Sequence, residues 1–251
     1  MKTDRIAWTV MAFLTVCSVG CTANLEAQKN QATAIRELGE AYLAEGKYTA
    51  AYQQLVKAEK IDPRDPYVHY ALGTFYYKKG KYDQAIDEYK KSLDLKPELA
   101  SVRNNLGIAY LAKEDWDTAI ACFKELIDNY IYITPHYSLS NLGFAYYKKK
   151  EYKVSEKYYL EALNIEPKFI IALRGLGKTY LAMGKIHEAV AELKKAIALT
   201  PDIAELYLDL GDAYTVSGDF KKALQAYNKV VELAPNTPLA REAKEKGKKL
   251  Y

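Results

Sequence analysis

Leu176-Gly177-Lys178-Thr179-Tyr180 decides the fold, because the same Leu-Gly-x-x-Tyr grouping recurs around Gly39, Gly73, Gly107, Gly143 and Gly211. Consecutive glycines of this set are 34, 34, 36, 34 and 34 residues apart. A period near 34 belongs to helix–turn–helix units that cannot bury their apolar face alone and must stack on their neighbours. The expectation is an all-α solenoid of six such units, built for binding and not for catalysis.

Other positions fall into register around the glycines. With Ala32, Pro66, Ala100, His136, Ile170 and Ala204 as first positions, the eleventh is always tyrosine (Tyr42, Tyr76, Tyr110, Tyr146, Tyr180, Tyr214). The twentieth is always small: Ala51, Ala85, Ala119, Ser155, Ala189 and Ala223. Proline closes five units, at Pro63, Pro97, Pro167, Pro201 and Pro235. Small residues at two facing positions let two helix backbones approach, and proline stops the second helix. The stripe Ala51, Leu55, Ala58, Ile61 has helical spacing and reads as the inner face of a second helix. This pattern resembles the tetratricopeptide repeat. The resemblance implies a right-handed superhelical solenoid of six repeats, at 32–65, 66–99, 100–135, 136–169, 170–203 and 204–235, with helices of about 12 to 14 residues.

Residues 236–251 read as a capping helix, since Leu239, Ala243 and Leu250 are sparse apolar positions among mixed charges. At the other end, Lys2 and Arg5 precede a 14-residue apolar stretch from Ile6 to Val19. Such a helix spans about 21 Å, short of the roughly 30 Å bilayer core, so residues 1–20 read as a cleaved export signal. An uncleaved membrane anchor is the rival reading. Ser18-Val19-Gly20-Cys21 resembles the lipobox of bacterial lipoproteins, which implies lipidation at Cys21 and a mature chain beginning there. Residues 21–31 then form a tether, and Thr22 to Gln31, fully extended, reach at most about 35 Å. By resemblance to enterobacterial lipoproteins, Thr22 after the cysteine implies the outer membrane, facing the periplasm. Cys122 is expected to be a small hydrophobe in the core.

The 36 basic and 32 acidic residues give a net charge of +4 in mixed order, without the long basic run that tracks phosphates. Nucleic acid is not an expected partner. His69, His136 and His187 lie in different repeats, and no phosphate loop, nucleophile elbow or cysteine cluster appears. No catalytic residue, metal, cofactor or small-molecule substrate is expected, and the protein is not read as an enzyme.

Recognition is expected on the concave groove, which in this family is lined by first-helix positions two, five, six, nine, twelve and thirteen. The resemblance places there Tyr67, Tyr70, Tyr77 and Lys78 from the second repeat, and Asn104, Asn105 and Ile108 from the third. The fourth contributes Tyr137, Asn141, Phe144, Tyr147 and Lys148, and the fifth Arg174 and Lys178. Acidic residues lie toward the ends: Glu37 and Glu40, then Glu205, Asp209 and Asp212. Aromatic anchors beside amides suit a peptide, although with 23 tyrosines in the chain many must simply pack between repeats. Leu43 and Thr74 stand where the family's dicarboxylate clamp for chaperone C-termini wants polar partners.

The third repeat has 36 residues instead of 34 and lacks the closing proline; its second helix runs into Leu126 to Pro135, a tyrosine- and proline-containing insert. Six repeats, a lipobox and this insert, between Asn104-Asn105-Leu106-Gly107 and Asn141-Leu142-Gly143, resemble the type IV pilus biogenesis lipoproteins, the pilotins that assist the outer-membrane secretin. The resemblance implies a lipid-anchored adaptor with a protein partner, the secretin subunit or another envelope protein. The alternatives are an envelope scaffold for another secretion or cell-wall machine, and a non-catalytic targeting subunit of an enzyme complex.

Overall fold

The computed structural model describes residues 25–128 and 134–250, all in helices and short turns, with no strand among them. The helices are α1 (25–44), α2 (Tyr48–Ile61), α3 (Pro66–Lys78), α4 (Tyr82–Leu95), α5 (Ala100–Ala112), α6 (Trp116–Ile127) and α7 (Pro135–Lys148). There follow α8 (Tyr152–Ile165), α9 (Ile170–Ala182), α10 (Ile186–Leu199), α11 (Ala204–Val216), α12 (Phe220–Leu233) and α13 (Pro238–Lys248). The all-α repeat expectation holds, and α2 to α12 run 12 to 14 residues each.

The sequence explains where these helices stop. α2, α4, α8, α10 and α12 each end two residues before a proline, which lacks a donor and disfavours helical backbone in the residue before it. Within each helix pair the turn requires one residue at positive φ. Gly46, Gly80, Gly184 and Gly218 meet that need at φ of 71° to 77°, but Glu114 and Lys150 stand in the equivalent turns at 61° and 63°. Left-handed backbone costs a residue with a Cβ about 1 kcal/mol, so two of the six turns are locally disfavoured.

The chain divides into two compact units, with the boundary between Lys113 and Glu114. In the first unit Leu55 and Ala58 of α2 pack with Val68 and Leu72 of α3, all essentially buried. In the second, Leu139, Tyr159, Ala162, Ala172 and Leu176 join α7, α8 and α9. At its end Tyr227 and Val230 of α12 pack with Ala243 of α13, flanked by Leu239 and Leu250. Thr237 caps α13 by accepting from the Ala240 amide at 3.2 Å. The helix thus covers the last apolar face with a few small residues, and Lys246 reaches back to pair with Asp212 of α11.

Of the expected tether, residues 25–31 are the exposed first turns of α1, which begins seven residues before Ala32, and the expectation for Cys122 is corrected. Leu25, Glu26, Ala27, Gln28 and Lys29 are good helix formers with no glycine or proline among them. These seven residues therefore cover about 10 Å as helix, where an extended chain would cover about 25 Å. Cys122 is half-buried on α6 and not in the core, because the inner face of that helix is taken by Ala119, Ile120, Phe123 and Leu126. The export signal, Cys21 and residues 129–133 of the insert lie outside the described residues. Among the described residues no helix is long and apolar enough to cross a membrane.

Candidate functional site

In the second unit, α7 and α9 lie side by side with α8 behind them, and two glycines open a slot between them. A Cβ added at Gly143 would meet the Tyr159 ring at 2.9 Å, and one at Gly175 would meet it at 2.3 Å. The phenol of α8 can enter only because both side chains are absent; it is 3% exposed. Behind it, Ser155 Oγ lies 2.7 Å from the Gly143 carbonyl and 3.0 Å from Thr179 Oγ1, which itself donates to the Gly175 carbonyl at 2.8 Å. Serine replaces the usual alanine at this twentieth position and ties the three helices together.

In front of Tyr159 is a pocket of about 250 Å³. Ser140, Asn141, Phe144 and Tyr147 line it from α7, and Ile171, Arg174, Gly175 and Lys178 from α9. Phe144 and Ile171 are 40% and 57% exposed, an unusual outlay of large apolar surface on facing helices. Arg174 Nε donates to Asp209 Oδ2 of α11, and Lys178 Nζ lies 3.9 Å from the other oxygen of that buried carboxylate. The ammonium of Lys148 sits 5.8 Å from the Phe144 ring centre and 5.6 Å from that of Trp116. Burial pushes the phenols of Tyr159 and Tyr147 upward, so both stay neutral near pH 7 and can donate hydrogen bonds. The hydroxyl of Ser140 is buried without a hydrogen-bond partner. Apolar walls, neutral phenols and a cationic rim are equipment for binding.

The first unit uses the same repeat positions differently. Asn105 Nδ2 donates to the Tyr70 hydroxyl at 3.0 Å, and the Tyr70 ring packs 6.0 Å from that of Tyr89. Tyr67 lies under the Arg36 guanidinium at 5.2 Å and accepts from Lys96 Nζ at 3.0 Å. Tyr77 packs on Tyr82 at 5.6 Å. Asn104 approaches Asn105 Oδ1 at 3.5 Å, Ile108 is half-buried, and Lys78 is exposed.

Of the residues expected in the groove, the pocket brings together Asn141, Phe144, Tyr147, Arg174 and Lys178. It does not include Tyr137, whose ring packs 4.5 Å from His136 and 4.9 Å from Phe169. Four of the five expected acidic residues pair within the protein: Glu37 and Glu40 face Arg36, Asp209 pairs with Arg174, and Asp212 binds Lys246 at 2.7 Å and accepts from the Tyr227 hydroxyl at 2.8 Å. Ser140, Ile171 and Gly175 occupy groove positions five, two and six but carry no aromatic, amide or charged group to mark them in the sequence. Tyr159 belongs to a second helix, outside the first-helix register.

One cluster among the described residues has the composition of a metal site. Glu59, His69 and Glu88 bring ligand atoms within 4.8 Å of one another. His69 Nδ1, however, faces Glu88 Oε2 at 2.8 Å and Nε2 faces the Pro63 carbonyl at 3.0 Å. Both nitrogens meet acceptors, so the ring is satisfied only as imidazolium. Lys91 Nζ holds the other Glu88 oxygen at 2.7 Å, which makes the cluster a charge-balanced ion-pair network.

A stack of paired helices with a side-chain-sized pocket on its first-helix face defines a class of protein-interaction scaffold. Matches to the family described as TPR repeat cover residues 39–80 and 74–114. Those to Tetratricopeptide repeat cover 105–130, 136–169 and 174–238. The chain belongs to the tetratricopeptide-repeat family. Among solved structures it is similar in fold to PilW, described as a widely conserved type IV pilus biogenesis factor, with a TM-score of 0.78 and 20% identity over 85% of this chain and 98% of that one. It is likewise similar in fold to pilF of Pseudomonas aeruginosa, with a TM-score of 0.73 and 20% identity over 88% of this chain and 99% of that one. A curated relative, the uncharacterized protein ycf37 of Pyropia yezoensis, is 35% identical over 74 residues, 30% of this chain. The chain spans about a third (36%) of that relative's length.

Proposed function

We propose that this protein is a lipid-anchored, non-catalytic adaptor of the bacterial envelope whose first-helix groove binds the outer-membrane secretin subunit and assists its localisation or multimerisation in type IV pilus biogenesis. The observation that carries the binding role is the pocket between α7 and α9, where exposed Phe144 and Ile171 face a cationic rim. The likeness in fold to PilW, described as a type IV pilus biogenesis factor, over nearly its full length supports the pilus setting, and the secretin as client follows the resemblance of the sequence to the pilotins. Lipid at Cys21 supplies the address, on the outer membrane facing the periplasm, and the repeats supply the grip. Helical residues 25–31 shorten the tether, so the groove works close to the membrane.

The experiment is a blot of the secretin's SDS-resistant multimer in membranes from a strain lacking the gene, and from strains complemented with the intact or Cys21→Ser form. Multimers are expected to disappear in the deletion and return with the intact protein, while the Cys21→Ser form mislocalises without unfolding. Normal multimers in the deletion would refute the client.

A further inference from the structure

We propose that the pocket between α7 and α9 is a receptor for one bulky apolar side chain, of the size of phenylalanine or leucine, carried on an acidic peptide segment. This rests on the groove being the binding face and specifies what it takes. At about 250 Å³ the cavity falls below the roughly 300–1,000 Å³ of sites for drug-sized ligands and is of a size to take one bulky side chain. Its walls are Phe144 from one side and Ile171 from the other, both exposed, with the immobile Tyr159 ring as floor. Filling it removes apolar surface from water on both partners.

The charge of the segment follows from the rim. Arg174 and Lys178 line the opening and Lys148 lies over Phe144; Asp209 is shared by Arg174 and Lys178, so among these described residues three cations stand against one carboxylate. A basic segment would meet like charge, whereas an acidic one meets uncompensated positive potential. The neutral phenol of Tyr147 adds a donor suited to carboxylate or backbone oxygen. Because position six of this repeat is Gly175, no side chain obstructs the descent of the anchor onto Tyr159.

The test uses the intact chain and a capped, fluorescein-labelled pentapeptide with one phenylalanine between two glutamates on each side. Alanine-centred and lysine-flanked versions and an oligo-dT of five nucleotides serve as comparisons. Saturable binding of the acidic phenylalanine peptide is expected, with amide shifts confined to α7 and α9. Affinity should fall about tenfold with the alanine centre, with Phe144→Ala, and with Ile171→Glu. Both substituted positions are exposed, and unchanged far-UV circular dichroism verifies the fold. Equal binding of the lysine-flanked peptide, tighter binding of oligo-dT, or retention of affinity in both variants would overturn the proposal. Undiminished capture of the secretin subunit by the Phe144→Ala protein would overturn the pocket and leave the adaptor reading standing. Saturable peptide binding without any secretin capture would do the reverse.

Discussion

The two halves of the molecule use one set of repeat positions to make two unlike surfaces. In the first unit Asn105, at position six, reaches back to the Tyr70 hydroxyl, whose ring packs beside that of Tyr89. In the second unit position six of the fifth repeat is Gly175, and the tyrosine behind it, Tyr159, is left as the floor of a cavity. One missing side chain separates a face satisfied by its own hydrogen bonds from one that can receive a guest. The scaffold sets where side chains stand; with glycine at position six, a pocket opens in front of the buried Tyr159.

The sharpest way to break this contrast is Gly175→Ala. Its Cβ would lie 2.3 Å from the Tyr159 ring, which is wedged between two helices and cannot swing aside. Overpacking of this kind costs about 2 kcal/mol. Hydrogen exchange on the intact chain should show faster exchange of α8 and α9 amides, with α3 and α4 as internal reference. Unchanged protection would mean that the slot is looser than its geometry indicates.

A second prediction concerns pH and the first unit. The hydrogen bond to Glu88, aided by the Pro63 carbonyl, holds the His69 imidazole above its usual range despite burial. Burial would raise Glu88, but the bonds from His69 and Lys91 outweigh it and hold that carboxyl below its usual range. The His69 contribution is therefore complete below about pH 6.5 and lost as pH rises through its folded value. The Glu88 contribution is present above about pH 4.5 and lost as pH falls through its folded value. A charge-assisted hydrogen bond is worth about 1.5 kcal/mol, so exchange protection of α3 and α4 should peak between those limits and decline on the alkaline side. His69→Gln should flatten that decline. A profile identical in the two proteins would remove His69 as its cause.

The smallest effect is expected at the turns. Lys150 holds a left-handed backbone at φ 63° where four sister turns have glycine. Lys150→Gly relieves about 1 kcal/mol of backbone cost but gives back part of it through the freer unfolded chain. A net gain of about 0.5 kcal/mol in urea unfolding is expected, and a loss would show that the lysine side chain contributes more than its backbone costs.

Most of the architecture was legible from glycine, tyrosine, small-residue and proline spacing, because those types answer directly to close helix approach and helix termination. The site was legible in part. Position counting reached Asn141, Phe144, Tyr147, Arg174 and Lys178, since first-helix side chains on one face share a register. It could not show that Tyr70 and Asn105 spend their polar atoms on each other, or that Arg174 is tied to Asp209, because such pairings join residues 35 apart through rotamers that no spacing encodes. Nor does a pattern of side chains draw attention to Gly175, whose role is to have none. The helical start at residue 25 was missed for a different reason: a polar, exposed segment has no apolar periodicity, and only intrinsic propensity speaks for it.

The indole of Trp116 lies 6.3 Å from the Phe144 ring, edge to face, with the Lys148 ammonium above it. The chain has two tryptophans, and the other, Trp8, falls in the expected leader. A mature protein beginning at Cys21 would therefore carry a single tryptophan, packed against Phe144 of the pocket, whose emission can be excited apart from that of the tyrosines. Its emission offers a label-free optical titration of whatever enters there, in the purified protein or on the surface of a vesicle.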